Sequence, residues 1–146
     1  MTIAMPRIKI VLPETFEYVT EIPVRITDIN FGGHVGNDTI LSLIHEARVR
    51  FLSSFGYSEL NIEGAGLIMA DAGIEYTHEL LYGQPLRIKV KAENFGRAGF
   101  DIYYLLESVK DGITTTIAKA KTGMVCFDYK QKKVISLPEE VKQRLC

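Results

Sequence analysis

This sequence has few cysteines, no long apolar run and no excess of either charge. Its two cysteines, Cys126 and Cys146, are too few for a disulfide framework or a cysteine metal site. No segment approaches the ~18 consecutive apolar residues of a membrane span, and the N-terminus lacks the apolar stretch and cleavage site of a secretion signal. A net charge of −1, with both signs mixed, does not fit a nucleic-acid-binding protein. We therefore expect a cytoplasmic protein with no nucleic-acid or membrane partner.

Several familiar catalytic motifs are also missing. The chain contains neither a phosphate-binding G-x-x-x-x-G-K-S/T loop nor a G-x-S-x-G nucleophile elbow. The stretch HEARV begins like the zinc motif H-E-x-x-H, but Val49 stands in place of the second histidine. The histidines, His34, His45 and His78, show no metal-ligand spacing. We expect no metal site and no cofactor.

Hydrophobic periodicity predicts a strand followed by one long helix. Residues 16–27 alternate apolar and polar side chains as a half-buried strand does, although Pro23 favours an edge position or a bulge. Apolar residues recur at helical spacing over 39–55, and their broad arc predicts a helix that is largely enclosed. Asn37 is the expected N-cap of this helix, and Gly56 is its expected C-terminal stop.

The second half of the chain predicts four strands and a short helix. Runs of strand length cover 66–76, 85–94, 100–109 and 113–128. The sequence KDG between the last two predicts a hairpin, and a short helix is predicted after Leu137, with Pro138 in its first turn. One long helix packed on consecutive antiparallel strands is an α+β arrangement. We predict that residues 1–146 form a single domain.

The junction before the helix, TDINFGGHVGND (27–38), carries three glycines and a histidine. Unpaired N–H groups at a helix start, with the positive end of the helix dipole, can bind an anion or a polarised carbonyl oxygen. Gly32 and Gly33 would let a substrate approach the backbone closely, and in acyl transfer such a site is an oxyanion hole. The alternative is that the glycines only supply turn conformations. The residues alone favour this alternative, because glycine turns are common.

Residues 24–52 resemble the signature of hotdog-fold acyl-CoA thioesterases of the 4-hydroxybenzoyl-CoA thioesterase type. That signature is R-x-x-D-x-D-x-x-G-H-V-N-N, followed by a long helix that carries E-A-R. The matching residues are Arg25, Asp28, Gly33, His34, Val35, Asn37, Glu46, Ala47 and Arg48. The resemblance continues through the later strands and covers most of the chain.

The resemblance implies a fold, an activity and an assembly. The hotdog fold is an antiparallel sheet wrapped around one long central helix. The implied activity is metal-free hydrolysis of acyl-CoA thioesters, with coenzyme A present only as part of the substrate. The implied assembly is a homodimer or a homotetramer (a dimer of dimers) whose sites are shared between subunits. The substrate-binding residues are Gly33, Val35 and Asn37 at the helix start, together with Asp28, which is expected chiefly to bond turn amides.

One departure from the signature concerns the catalytic carboxylate. The family's nucleophile or general base is the second aspartate of D-x-D, and that position is Asn30 in this chain. Gly36 also replaces the first asparagine of the N-N pair. An amide is not a base near neutral pH, and the loss of a general base typically costs about 10²–10⁴ in rate.

Three explanations of Asn30 stay open. In the first, Asn30 orients the substrate and water while Glu46 is the general base, although Glu46 could equally form an ordinary i,i+4 ion pair with Arg50. In the second, His34 is the base or polarises the carbonyl, since a neutral imidazole suits either task. In the third, catalysis is weak or lost, and the domain binds acyl thioesters. Hydratase chemistry, which also occurs on hotdog folds, fits the motif less well.

Overall fold

The structure, a computed structural model, describes residues 7–146. Its elements are β1 (Tyr18–Ile22), a 3₁₀ turn (Ile26–Asp28), α1 (Asn37–Ser53), β2 (Gly66–Tyr76), β3 (Leu86–Glu93), β4 (Gly99–Lys110), β5 (Ile113–Asp128), β6 (Lys133–Val134) and α2 (Glu139–Leu145). The predicted long helix, the four later strands and the closing helix are all present. No helix in this part of the chain is long and apolar enough to cross a lipid bilayer. The single domain over 1–146 stays a prediction, because residues 1–6 lie outside the described range.

The strands form one antiparallel sheet in the order β1-β3-β4-β5-β2, with β6 beside β5. The predicted KDG hairpin joins β4 to β5. β2 pairs with β5 and not with β3, its successor in the chain. The connecting segment, residues 77–85, therefore has to cross from one edge of the sheet towards the other. On its way it meets the start of α1, where the Val35 N–H donates to the Leu80 carbonyl at 2.8 Å.

Helix α1 packs its apolar side against one face of the sheet. The buried helix residues are Ile40, Leu43, Ile44, Ala47, Arg48, Phe51 and Leu52. They join a core that includes alternate residues of β3 and β4, among them Ile88, Val90 and Ile102. Burying each large apolar side chain stabilises the fold by about 1.5–3 kcal/mol. The predicted enclosure of the helix is incomplete, because Leu41 is 37% exposed.

Two predicted details are wrong, and one short strand was not predicted. The first strand ends at Ile22 and does not continue to residue 27. Pro23 has no N–H to donate to the neighbouring strand, and the chain then enters the 3₁₀ turn. Ile26, predicted on the apolar face of the strand, lies in this turn and is 68% exposed. The N-cap of α1 is Gly36, and Asn37 is already the first helical residue, with no side-chain cap bond. The short strand β6 was not predicted, since its two residues have no periodicity to detect.

Candidate active site

The 3₁₀ turn before α1 is closed by Asp28. Its carboxylate accepts hydrogen bonds from the Arg25 backbone N–H at 2.8 Å and from the Arg25 guanidinium at 3.3 Å. Asp28 is only 5% exposed, so both bonds form in a partly desolvated setting. Asp28 thus bonds a turn amide, which is the structural role expected of it.

Asn30 lies at the centre of the glycine-rich turn. Its side-chain oxygen accepts hydrogen bonds from the N–H groups of Gly32 at 2.9 Å and His34 at 3.4 Å, as in an Asx turn. Its Nδ2 lies 3.5 Å from His34 Nδ1. Gly33 has φ +84°, a left-handed conformation that glycine adopts without steric cost. Asn30 and Gly33 therefore set the shape of the turn and the position of the imidazole.

The backbone N–H groups of this turn divide into two sets. The Gly33 N–H donates to the Asn30 carbonyl at 3.1 Å, and the Val35 N–H donates to Leu80, so both predicted donors are already bonded inside the chain. The N–H groups of residues 37–39 form the first turn of α1, where no intrahelical acceptor exists. Within residues 7–146 they have no other acceptor either. Of the three residues predicted to bind substrate at the helix start, Gly33 and Val35 thus have N–H groups that are already bonded, whereas the Asn37 N–H is available to a ligand.

A cleft of about 220 Å³ opens beside these donors. One wall comes from the turn and the start of α1, and includes His34, Val35 and Asn37. The opposite wall comes from the end of β2 and the crossing segment, and includes Tyr76 and Glu79. The cleft exists because the 77–85 segment crosses the sheet at this point. It brings the predicted residues His34, Val35 and Asn37 together with side chains from a distant part of the chain.

The polar groups of this cleft are arranged around His34, whose side chain is 32% exposed. Its Nε2 lies 3.8 Å from Glu79 Oε1, and its Nδ1 lies 3.5 Å from the Val35 carbonyl oxygen. The Tyr76 hydroxyl donates to the Asn37 carbonyl at 3.0 Å. Burial, and then the nearby Asp38 carboxylate, raise the pKa of Tyr76, so this hydroxyl remains a neutral donor. The cleft therefore combines backbone donors, an imidazole and a carboxylate.

Glu46 lies elsewhere. It lines a different groove of about 280 Å³, together with Asp28, Ser42 and Arg50. Its carboxylate accepts a hydrogen bond from Arg50 Nε at 3.0 Å and is about half exposed, at 51%. A single chain therefore does not bring Glu46 into the His34 cleft. Its predicted role as general base stays a prediction.

Sequence reasoning did not single out Tyr76, His78 or Glu79. These residues belong to no motif, and their position in the cleft depends on the path of the chain between β2 and β3. The available signal was the polar cluster Thr77-His78-Glu79 directly after a strand, because loop residues next to strand ends often form sites. Within the described part of the chain no three His, Cys, Asp or Glu side chains are grouped as a metal site would require.

The sequence pattern that defines the thioesterase-like superfamily matches residues 24–145. The chain belongs to this superfamily. The match spans the turn, the central helix and strands β2 to β6, and therefore every residue that lines the cleft. Thioester hydrolysis is accordingly this protein's class of activity, and the predicted enzyme class is confirmed.

Comparisons with individual proteins agree with this assignment. A protein of Aquifex aeolicus (strain VF5), provisionally named an esterase, is 28% identical over 124 residues, which are 84% of this chain and 92% of that protein. A thioesterase of Thermus thermophilus, whose crystal structure contains coenzyme A and zinc, is 25% identical with a TM-score of 0.76, covering 90% of this chain and 94% of that one. A mutant 4-hydroxybenzoyl-CoA thioesterase in complex with 4-hydroxybenzoyl-CoA is 14% identical with a TM-score of 0.79, covering 88% and 98%. The predicted α+β hotdog fold is thus confirmed.

Proposed function

We propose that this protein hydrolyses acyl-CoA thioesters to the free acid and coenzyme A, without a metal or a cofactor, in the cleft beside the start of α1. The observation that carries the proposal is the set of N–H groups over residues 37–39 that have no acceptor in the described chain; the first of them belongs to Asn37, which lines the cleft together with His34. The coenzyme A found in the Thermus relative supports the choice of thioester.

The first step is polarisation of the thioester carbonyl. Its oxygen would accept hydrogen bonds from the N–H groups at the start of α1, where the positive end of the helix dipole favours a developing negative charge. Such donors gain strength as the carbonyl oxygen becomes an oxyanion, and one of them typically contributes about 10²–10³ in rate. Asn30 would contribute indirectly, because its bonds to Gly32 and His34 hold the turn in place.

The second step is attack by water. His34 would accept the proton of the water as it adds to the carbonyl carbon, and Glu79, 3.8 Å from Nε2, would stabilise the resulting imidazolium. The C–S bond then breaks, and the proton passes from the imidazolium to the departing thiolate of coenzyme A. We place His34 in this role because it lies in the cleft, whereas Glu46 lies in the other groove. Glu46 could act only if a second subunit brought its groove to the helix start.

The assembly that would allow such sharing is a homodimer built on the edge strand β2. In the described chain β2 has 11 residues and pairs on one side only, and a long unpaired edge is a template for pairing with another chain. Met69 on this strand is 42% exposed, and Leu41 and Val49 on α1 are also exposed. We infer a β2-to-β2 dimer, which two-fold pairing could extend to a tetramer. The cytoplasmic location stays a prediction from the sequence.

Light scattering after gel filtration tests this assembly. Met69→Lys should yield a monomer, because a charged lysine on an edge strand opposes pairing. Leu60→Lys is the matched control, since Leu60 is 75% exposed outside β2, and it should remain a dimer. A wild-type monomer, or a Met69→Lys protein that remains dimeric, would contradict the inferred interface.

The catalytic proposal is tested by thiol release from a panel of short, long and aromatic acyl-CoAs. His34→Ala should lower kcat by about 10²–10⁴, as expected for a general base. Glu79→Gln should lower it less, because Glu79 acts through His34. His45→Ala is the control, since His45 is a largely exposed helix residue outside the cleft. If Glu46→Gln abolishes turnover and His34→Ala does not, the base is Glu46 and the role of His34 is wrong.

The second candidate is an acyl-thioester-binding protein with little or no activity. Asn30 favours it, because the side-chain oxygen at the family's carboxylate position already accepts two turn amides and cannot accept a proton. A protein that binds acyl-CoAs but leaves every member of the panel intact at high protein concentration would establish this candidate over hydrolysis.

A further inference from the structure

A second cavity of about 260 Å³ adjoins the cleft at the helix start, because Glu79 and Ile117 line both. The rest of its lining comes from the crossing segment and from the β4–β5 hairpin, and includes Ser108, Lys110 and Thr115. An acyl chain whose carbonyl lay at the helix start would thus find this cavity next to it.

Ser108 is the unusual member of this lining. It is 4% exposed, and its hydroxyl oxygen is buried with no hydrogen-bond partner in the described chain. A buried polar group left without a partner costs about 1–3 kcal/mol, so such groups generally bond protein, water or a ligand. The pairing of β4 with β5 is also irregular next to Ser108: Leu106 pairs with Ala118 and Glu107 with Thr116, so Ile117 is the extra residue of a β-bulge, and bulges often lie next to functional sites.

The charges around this cavity indicate which group would bond Ser108. Glu79 and Asp111 contribute negative charge, and Lys110 contributes positive charge. A carboxylate or phosphate would therefore meet a lining without an excess of positive charge. A neutral oxygen group carries no such penalty, and a serine hydroxyl can either donate to it or accept from it.

We propose that this cavity receives the acyl group of the substrate, and that Ser108 selects acyl groups bearing a neutral oxygen substituent, a hydroxyl or an oxo group. The inference rests on the proposed thioester hydrolysis and adds a specificity-determining residue to it. Ser108 takes no part in bond breaking, so its removal should change the choice between substrates and leave the hydrolysis of unsubstituted acyl-CoAs unchanged.

The test compares matched substrate pairs, butyryl-CoA against 4-hydroxybutyryl-CoA and benzoyl-CoA against 4-hydroxybenzoyl-CoA. Wild-type protein should favour the oxygenated member of at least one pair. Ser108→Ala should reduce that preference about tenfold through a lower kcat/KM for the oxygenated member only, as the loss of a well-placed hydrogen bond implies. Ser58→Ala, at an exposed serine in the loop after α1, is the control and should keep the wild-type preference.

The melting temperature supplies an independent readout. Because the Ser108 hydroxyl has no internal partner to lose, Ser108→Ala should melt no lower than wild type. The proposal is overturned if wild type shows no preference in either pair, if Ser108→Ala keeps the preference, or if that variant is clearly destabilised. If wild type cleaves no acyl-CoA, the hydrolysis proposal fails, and the ratio of Kd values for the same intact pairs then decides the role of Ser108.

Discussion

Replacing Arg48 by methionine removes a buried charge from the sheet-facing side of α1. Arg48 is 5% exposed. Its Nε donates to Glu59 Oε1 at 2.6 Å, and its Nη1 donates to the Tyr104 hydroxyl at 3.3 Å. That hydroxyl also shares a hydrogen bond with Thr122 at 2.8 Å. The guanidinium therefore ties the central helix both to the loop after it and to the middle of the sheet.

The cost of the substitution follows from what each former partner retains. Removing one member of a fully buried ion pair costs about 3–5 kcal/mol. The Glu59 side chain, however, is 28% exposed and can rehydrate, and the Tyr104 hydroxyl keeps its bond to Thr122. Methionine also fills much of the space of the arginine stem. We expect a loss of about 2 kcal/mol, which corresponds to a fall in Tm of about 4–8 °C for a chain of this length.

Urea unfolding and calorimetry measure this loss. The matched control is Arg97→Met, because Arg97 is exposed and its side chain forms no hydrogen bond or ion pair in the described chain. This control should stay within about 0.5 kcal/mol of wild type. If Arg48→Met is as stable as wild type or more stable, with an unchanged m-value, then desolvation of the guanidinium cancels its hydrogen bonds and the reasoning above is wrong.

Three further predictions concern the turn, the thiols and a surface ion pair. Asn30→Ala removes the acceptor of two turn amides and should lower the free energy of unfolding by about 0.5–1.5 kcal/mol, measured in urea. Asn30→Asp keeps an acceptor oxygen and should lower it less. Equal losses for the two variants would contradict the Asx turn. Burial raises the pKa of the Cys126 thiol to about 11. A thiol reagent at about pH 8 should therefore label only the exposed Cys146 until the protein unfolds. Two labels on the folded protein would contradict this. The hydrogen bond from Lys121 lowers the pKa of Asp71, so Asp71 stabilises the fold above the ordinary aspartate pKa and this contribution disappears as the pH falls through the lowered value. The difference in unfolding free energy between wild type and Asp71→Asn should therefore be small and should shrink as the pH falls. A difference that grows as the pH falls would show that the direction assigned to the Asp71 pKa shift is wrong.

Local sequence was sufficient for the elements, because their patterns depend on near neighbours. The apolar arc of 39–55 produced α1, and the alternation over 85–94 produced β3 with every second residue buried. The local pattern predicted the wrong boundary where a single residue ended a strand or began a helix. Pro23 ended the first strand early, and Gly36 took the N-cap position that Asn37 was expected to hold.

The candidate site was only partly predictable. The junction motif located His34, Val35 and Asn37, all of which line the cleft. It did not indicate that the Gly33 and Val35 amides would be bonded internally, because the acceptor of the second is Leu80, far along the chain. Glu46 was predicted from its match to the family signature, and a sequence match cannot show which groove a side chain will line.

The amino-acid sequence by itself determined the class of the protein. Its periodicities specify one long helix and an antiparallel sheet, and the motif around His34 specifies a glycine turn at the helix start. Only the tertiary structure decided which polar groups meet there. β2 pairs with β5 and leaves the 77–85 segment to cross the sheet, and this long-range pairing brings Tyr76 and Glu79 opposite His34. Strand order depends on how whole apolar faces are buried together, and no short stretch of residues encodes it.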